Sequence, residues 1–75
     1  MSDAHNDFVR KIIMEAGPGL TQLDGFSAQL VAIESILAGL MAITIKMENC
    51  PPDQADVYLS AVTHGARPRL RVLLK

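Results

Sequence analysis

Residues 30–45 read LVAIESILAGLMAITI, sixteen positions with one charged side chain, Glu34. This run constrains the fold more than any other part of the chain, because wherever it sits something must cover it. It falls short of the roughly 20 residues that a helix needs to cross a bilayer. Glu34 would also place a carboxylate in hydrocarbon, which is costly. The segment is therefore expected to be a buried helix of a soluble protein, with no membrane partner.

Traced outward to its flanking signals, this helix is expected over about 21–48. TQLD, residues 21–24, has the form of a capping box, in which a hydroxyl is followed three positions later by an acid. Gly25 weakens the first turns and allows a later start at Ser27. At about 1.5 Å per residue such a helix is about 42 Å long, the spine on which the rest of the chain packs.

Successive residues turn about 100° around a helix axis. On that projection Phe26, Leu30, Ile33, Leu37, Leu40, Met41, Thr44 and Met47 share one side of the spine, an apolar stripe broad enough for a core. The opposite side has no charged back, and Lys46 and Asp24 appear only near its ends. It carries Ala28, Ala32, Ser35, Gly39 and Ala42, spaced 4-3-4-3. That spacing keeps residues in line where two helices wind together, and small side chains let backbones approach closely. The partner expected for this seam is the same helix of a second copy, since a homodimer presents a surface to itself. Packing against another helix of the same chain, or plain exposure of good helix formers, would account for the seam without a dimer.

Composition favours the dimer. A chain of 75 residues buries only about 60% of its unfolded surface and is marginal without disulfides, metals or oligomerisation. Cys50 is the only cysteine, and the two histidines, His5 and His64, lie far apart. Oligomerisation is left by elimination. The lone cysteine and the absence of an apolar leader in MSDAHNDFVRK point to a reducing, cytoplasmic compartment.

Two shorter helices are expected to flank the spine. The first, about 2–16, has Ser2 or Asp3 as its cap and Ala4, Phe8, Ile12 and Ala16 on one face, with Gly17 and Pro18 as its stop. The second, about 52–64, opens on Pro52 and Asp53, carries Ala55, Tyr58, Leu59 and Val62 on its apolar face, and is expected to end at Gly65.

Beyond Gly65 the pattern changes period. Pro68, Leu70, Val72 and Leu74 alternate with Arg67, Arg69, Arg71 and Leu73, which predicts a short strand or extended tail over about 67–74. An isolated strand cannot satisfy its backbone, so it is expected to pair with its twin in a dimer or with a sheet edge on another protein. Residues 66–75 carry four bases and no acid, whereas the rest of the chain is acidic. The arginines therefore also admit a nucleic-acid reading, in which paired strands grip phosphates.

Signals of catalysis are sparse. There is no phosphate-binding glycine loop, CxxC or HExxH pattern. Asp3, His5 and Asp7 stand close in sequence, but on a helix positions i, i+2 and i+4 do not share a face. Glu34 lacks a histidine or second carboxylate one turn away, and Cys50 lies before two prolines at a helix start. Either is the residue on which a small enzyme or accessory subunit would turn.

The expectation is thus a mainly α, three-helix homodimer with a C-terminal strand, with no cofactor and no metal. Its function is that of a small non-catalytic interaction or regulatory module. Ala28, Ala32, Ser35, Gly39 and Ala42 would carry self-association, and Arg67, Arg69 and Arg71 a partner. A nucleic-acid-binding regulator is the alternative.

Overall fold

A computed structural model describes residues 3–75; the cap expected at Ser2 lies outside them. The chain is mainly α, with three helices: α1 over Asp3–Thr21, α2 over Phe26–Met47 and α3 over Ala55–Leu73. A single 3-10 turn, Pro52–Gln54, leads into α3. Contacts divide the chain into two compact units, the first ending at Leu37 and the second running Ala38–Lys75.

In the first unit, α1 does not stop at Gly17 as expected but continues to Thr21 with Pro18 inside it. Proline in a helix clashes with the residue before it as well as losing a donor. That residue is Gly17, which has no Cβ for the ring to meet. The donor that Pro18 lacks would have served the carbonyl of Met14, a residue 68% exposed, where water can take its place. At the end of the helix the Thr21 hydroxyl donates to the Pro18 carbonyl at 2.7 Å. The Gln22 and Leu23 N–H groups close on Gly19 and Leu20 at 3.2 and 3.1 Å.

The capping box expected at Thr21 is overturned, because Thr21 belongs to the end of α1. The break falls at Gly25, whose φ of +94° lies in the left-handed region that glycine enters without penalty and that no right-handed helix contains. Its carbonyl accepts the first bond of α2, from the Gln29 N–H at 3.2 Å. The Gln29 side chain then donates back to the Leu20 carbonyl at 2.9 Å. One glutamine thus fastens the start of α2 to the end of α1. Ala16, Gly17, Leu20, Gln29, Ala32 and Leu37 are the half-buried residues of this unit.

In the second unit, α2 ends on a left-handed cap. Asn49 has φ 53°, its N–H bonds the Lys46 carbonyl at 3.3 Å, and the next N–H, of Cys50, reaches the Ile45 carbonyl at 3.0 Å. These paired bonds satisfy carbonyls that every helix end leaves open. Pro51 follows and prevents continuation. Met41, Ile45, Cys50 and Tyr58 are half-buried here.

The C-terminal strand is contradicted. Among the described residues there is no strand, and α3 runs unbroken through Gly65 and Pro68 to Leu73. The alternation of residues 67–74 is real, but a second period covers the same letters. Leu59, Val62, Ala66, Leu70 and Leu73 recur at helical spacing and join the tail to the segment before it. A helix satisfies its backbone within itself, whereas a strand here would have found no partner strand in the chain. Helix continuation therefore wins.

No described residue is fully buried. Large hydrophobics stay exposed on every helix, among them Phe8 and Ile13 on α1, Phe26, Val31 and Ile43 on α2, and Leu70 and Leu73 on α3.

Candidate functional site

The small-residue seam lies on α2, which carries Ala28, Ala32, Ser35, Gly39 and Ala42 in helical register. Two details bear on what this surface can accept. The Ser35 hydroxyl donates to the Val31 carbonyl at 3.1 Å, so the one polar side chain of the seam is satisfied within its own helix. It can be covered by an apolar neighbour without stranding a donor. At Gly39, an added Cβ would meet nothing within 4 Å. Nothing in this chain requires that glycine to be small.

The arginines are redistributed by the helix. On a strand, Arg67, Arg69 and Arg71 would project together. On α3, Arg67 and Arg71 are one turn apart and share a side, while Arg69 falls about 200° away from Arg67, by the stripe of Val62, Ala66 and Leu73. Sequence reasoning missed the residues that do join Arg67. Ser60, Thr63 and His64 line a shallow surface depression with Ala61 and Arg67. The 4-3-4 spacing of Ser60, His64, Arg67 and Arg71 is the available signal, hidden by the helix end expected at Gly65. The Thr63 hydroxyl is turned inward, donating to the Leu59 and Ser60 carbonyls at 3.1 Å each.

The two residues considered for chemistry stand apart. Glu34 is exposed at mid-length on α2. Cys50 is half-buried beyond the α2 cap, with its thiol 4.0 Å from the Glu48 carbonyl. Beside it, partial burial pushes the Tyr58 phenol above its ordinary value, and the Cys50 thiol adds in the same direction. Among the described residues no three His, Cys, Asp or Glu side chains gather as a metal-binding set, and Asp3, His5 and Asp7 do not form one.

No protein-family model matches the chain, and no curated protein or solved structure matches it either.

Proposed function

We propose that the chain is a small, non-catalytic, cytoplasmic interaction module that works as a homodimer, with the Ala28–Ala42 side of α2 as the surface on which two copies meet. One observation carries this reading. Along α2 no side chain is buried, and Phe26, Leu30, Val31, Ile33, Ile36, Leu40, Ile43 and Met47 are 42–73% exposed. An uncovered apolar helix of this kind marks an interaction surface, and a second copy presents the same helix to cover it. The seam on α2 supports the choice of surface, because it is uncharged, its hydroxyl is internally bonded, and its glycine has open space before it.

The test is the mass in solution by light scattering over a range of concentrations, for wild type and Gly39→Leu. A wild-type dimer that becomes monomeric or unfolded on substitution is the expected result. A wild-type monomer, or a variant with unchanged mass and melting temperature, would end the proposal.

A second reading has one observation in its favour. At 22 residues, with an 18-residue stretch of mean hydropathy 1.9 and none of that stretch buried, α2 is long and apolar enough to cross a bilayer. The length objection raised by the shorter run therefore no longer applies. Glu34 still weighs against it. The nine Leu, Ile, Val and Phe residues of α2 favour insertion by about 4 kcal/mol together, and a carboxylate near the centre costs about 3 kcal/mol. Gln29, Ser35 and Lys46 take the rest, leaving no net drive to insert. Recovery in a detergent-free soluble fraction is the expected outcome, and resistance to alkaline extraction from membranes would reverse the choice.

A further inference from the structure

We propose that the C-terminal half of α3 is a surface for anionic lipid, lying flat on a charged bilayer with its arginines on the headgroups and its leucines in the acyl boundary. The inference goes beyond self-association and uses a different helix. It follows from the replacement of the strand by a helix. As a strand, residues 67–74 would have set all three arginines on one flat side. As a helix they form a basic amphipathic segment, the arrangement that binds in the plane of a membrane interface.

Charge complementarity points to an anionic occupant. No acid occurs between Asp56 and the end of the chain, a stretch that holds Arg67, Arg69, Arg71 and Lys75. The apolar side chains among these bases decide which anionic occupant. Leu70, Leu73 and Leu74, within about 100° of one another around the axis, are 55, 77 and 76% exposed. A nucleic-acid backbone would satisfy the arginines and leave those three side chains wet. A bilayer surface covers both kinds of group at once. Arg69, on the apolar side, has a stem long enough to lie along that side and bring its guanidinium up to the phosphates. The expectation of no membrane partner rested on the central segment being unable to span, and surface binding by α3 is a separate matter.

The experiment is sedimentation of the full chain with vesicles, either phosphatidylcholine alone or phosphatidylcholine with about one-third phosphatidylserine, in low and high salt. Binding to the anionic vesicles that weakens with salt is expected. Arg67→Gln with Arg71→Gln should lower it about 25-fold, at about fivefold per basic residue near the surface. Leu70→Ser with Leu73→Ser should lower it by at least as much. Both pairs are exposed, and circular dichroism of each variant checks that the helix persists. A conservative Arg67→Lys with Arg71→Lys pair retains the charge and should retain binding. No binding to anionic vesicles, equal binding to neutral ones, or indifference to the leucine pair would overturn the proposal. Tighter retention on mixed-sequence duplex DNA that ignores the leucine pair would overturn it in favour of nucleic acid.

Discussion

The Asn49–Pro52 junction and the Gly65–Pro68 stretch look alike on paper, yet only the first ends a helix. Each pairs a residue tolerant of left-handed backbone with a proline shortly after. At the first, Asn49 takes up φ 53°, and its own N–H and that of Cys50 fold back onto the Lys46 and Ile45 carbonyls. At the second, Gly65 keeps helical backbone and α3 passes through both it and Pro68. A stop is therefore made by carbonyls being satisfied from beyond the helix, and glycine or proline only makes that easier. Where the chain after the signal has its own helical periodicity, as Ala66, Leu70 and Leu73 do, continuation satisfies the same carbonyls and costs one bond at the proline.

The largest effect separating the two regions is expected at Pro68. Pro68→Ala restores a donor to the His64 carbonyl and removes the ring clash, worth about 2–3 kcal/mol in a helix interior. Amide exchange over residues 65–73 should slow and far-UV helicity should rise. If neither changes, the helix does not run through Pro68 and the contrast with Asn49 collapses.

Next comes the cap itself. Asn49→Val puts a β-branched residue at φ 53° and should cost about 1–2 kcal/mol, whereas Asn49→Gly should gain several tenths of a kcal/mol. Urea denaturation followed by circular dichroism reads both. Equal stability of the valine and glycine variants would mean that the left-handed residue is not what closes α2.

Third, the same substitution should change sign between two glycines. Gly25→Ala, at φ +94°, is expected to cost about 1 kcal/mol. Gly65→Ala, inside α3 with nothing within 4 Å of an added Cβ, should gain about 0.5–1 kcal/mol. The same sign at both positions would contradict the assignment of one as a break and the other as helix interior.

How much of this was legible in the sequence follows from the same contrast. The three helices were readable because Phe8–Ile12–Ala16, the α2 stripe and Ala55–Leu59–Val62 each sustain a helical period over several turns. The ends of α1 and α3 and the start of α2 at Thr21 were not, because Gly17, Gly65 and Thr21 are residue types that permit a boundary without requiring one, whereas the α2 end near 48 and its later start beyond Gly25 were. What decides is whether a neighbour such as Gln29 arrives to bond the Leu20 carbonyl, and that is a fact about three dimensions. The tail was misread for a related reason. Over eight residues a period of two and a period of 3.6 fit the same leucines, and only continuity with Leu59 and Val62, across Gly65, separates them. The α2 seam was legible as a line of small residues. That Ser35 satisfies its own hydroxyl and that Gly39 faces open space were not, since both depend on side-chain and backbone positions.

The smallest effect expected is also the one that reaches furthest toward function. Gly39 and Gly65 are both helix-interior glycines with open space where a Cβ would go. Within a single chain, Gly39→Ala should therefore behave like Gly65→Ala and gain about 0.5–1 kcal/mol. A second copy packed along Ala28, Ala32, Ser35, Gly39 and Ala42 changes that sign, because the methyl would then enter a close helix–helix approach in which added volume costs about 1–3 kcal/mol. The pair of substitutions thus reads the interface by difference. Gly65→Ala reports what alanine is worth in a helix of this protein, and Gly39→Ala reports the same quantity plus whatever lies against α2. Melting temperatures measured over a range of protein concentrations separate the two contributions, since only the interface part depends on concentration. Equal gains at both positions, independent of concentration, would mean that nothing packs on the seam.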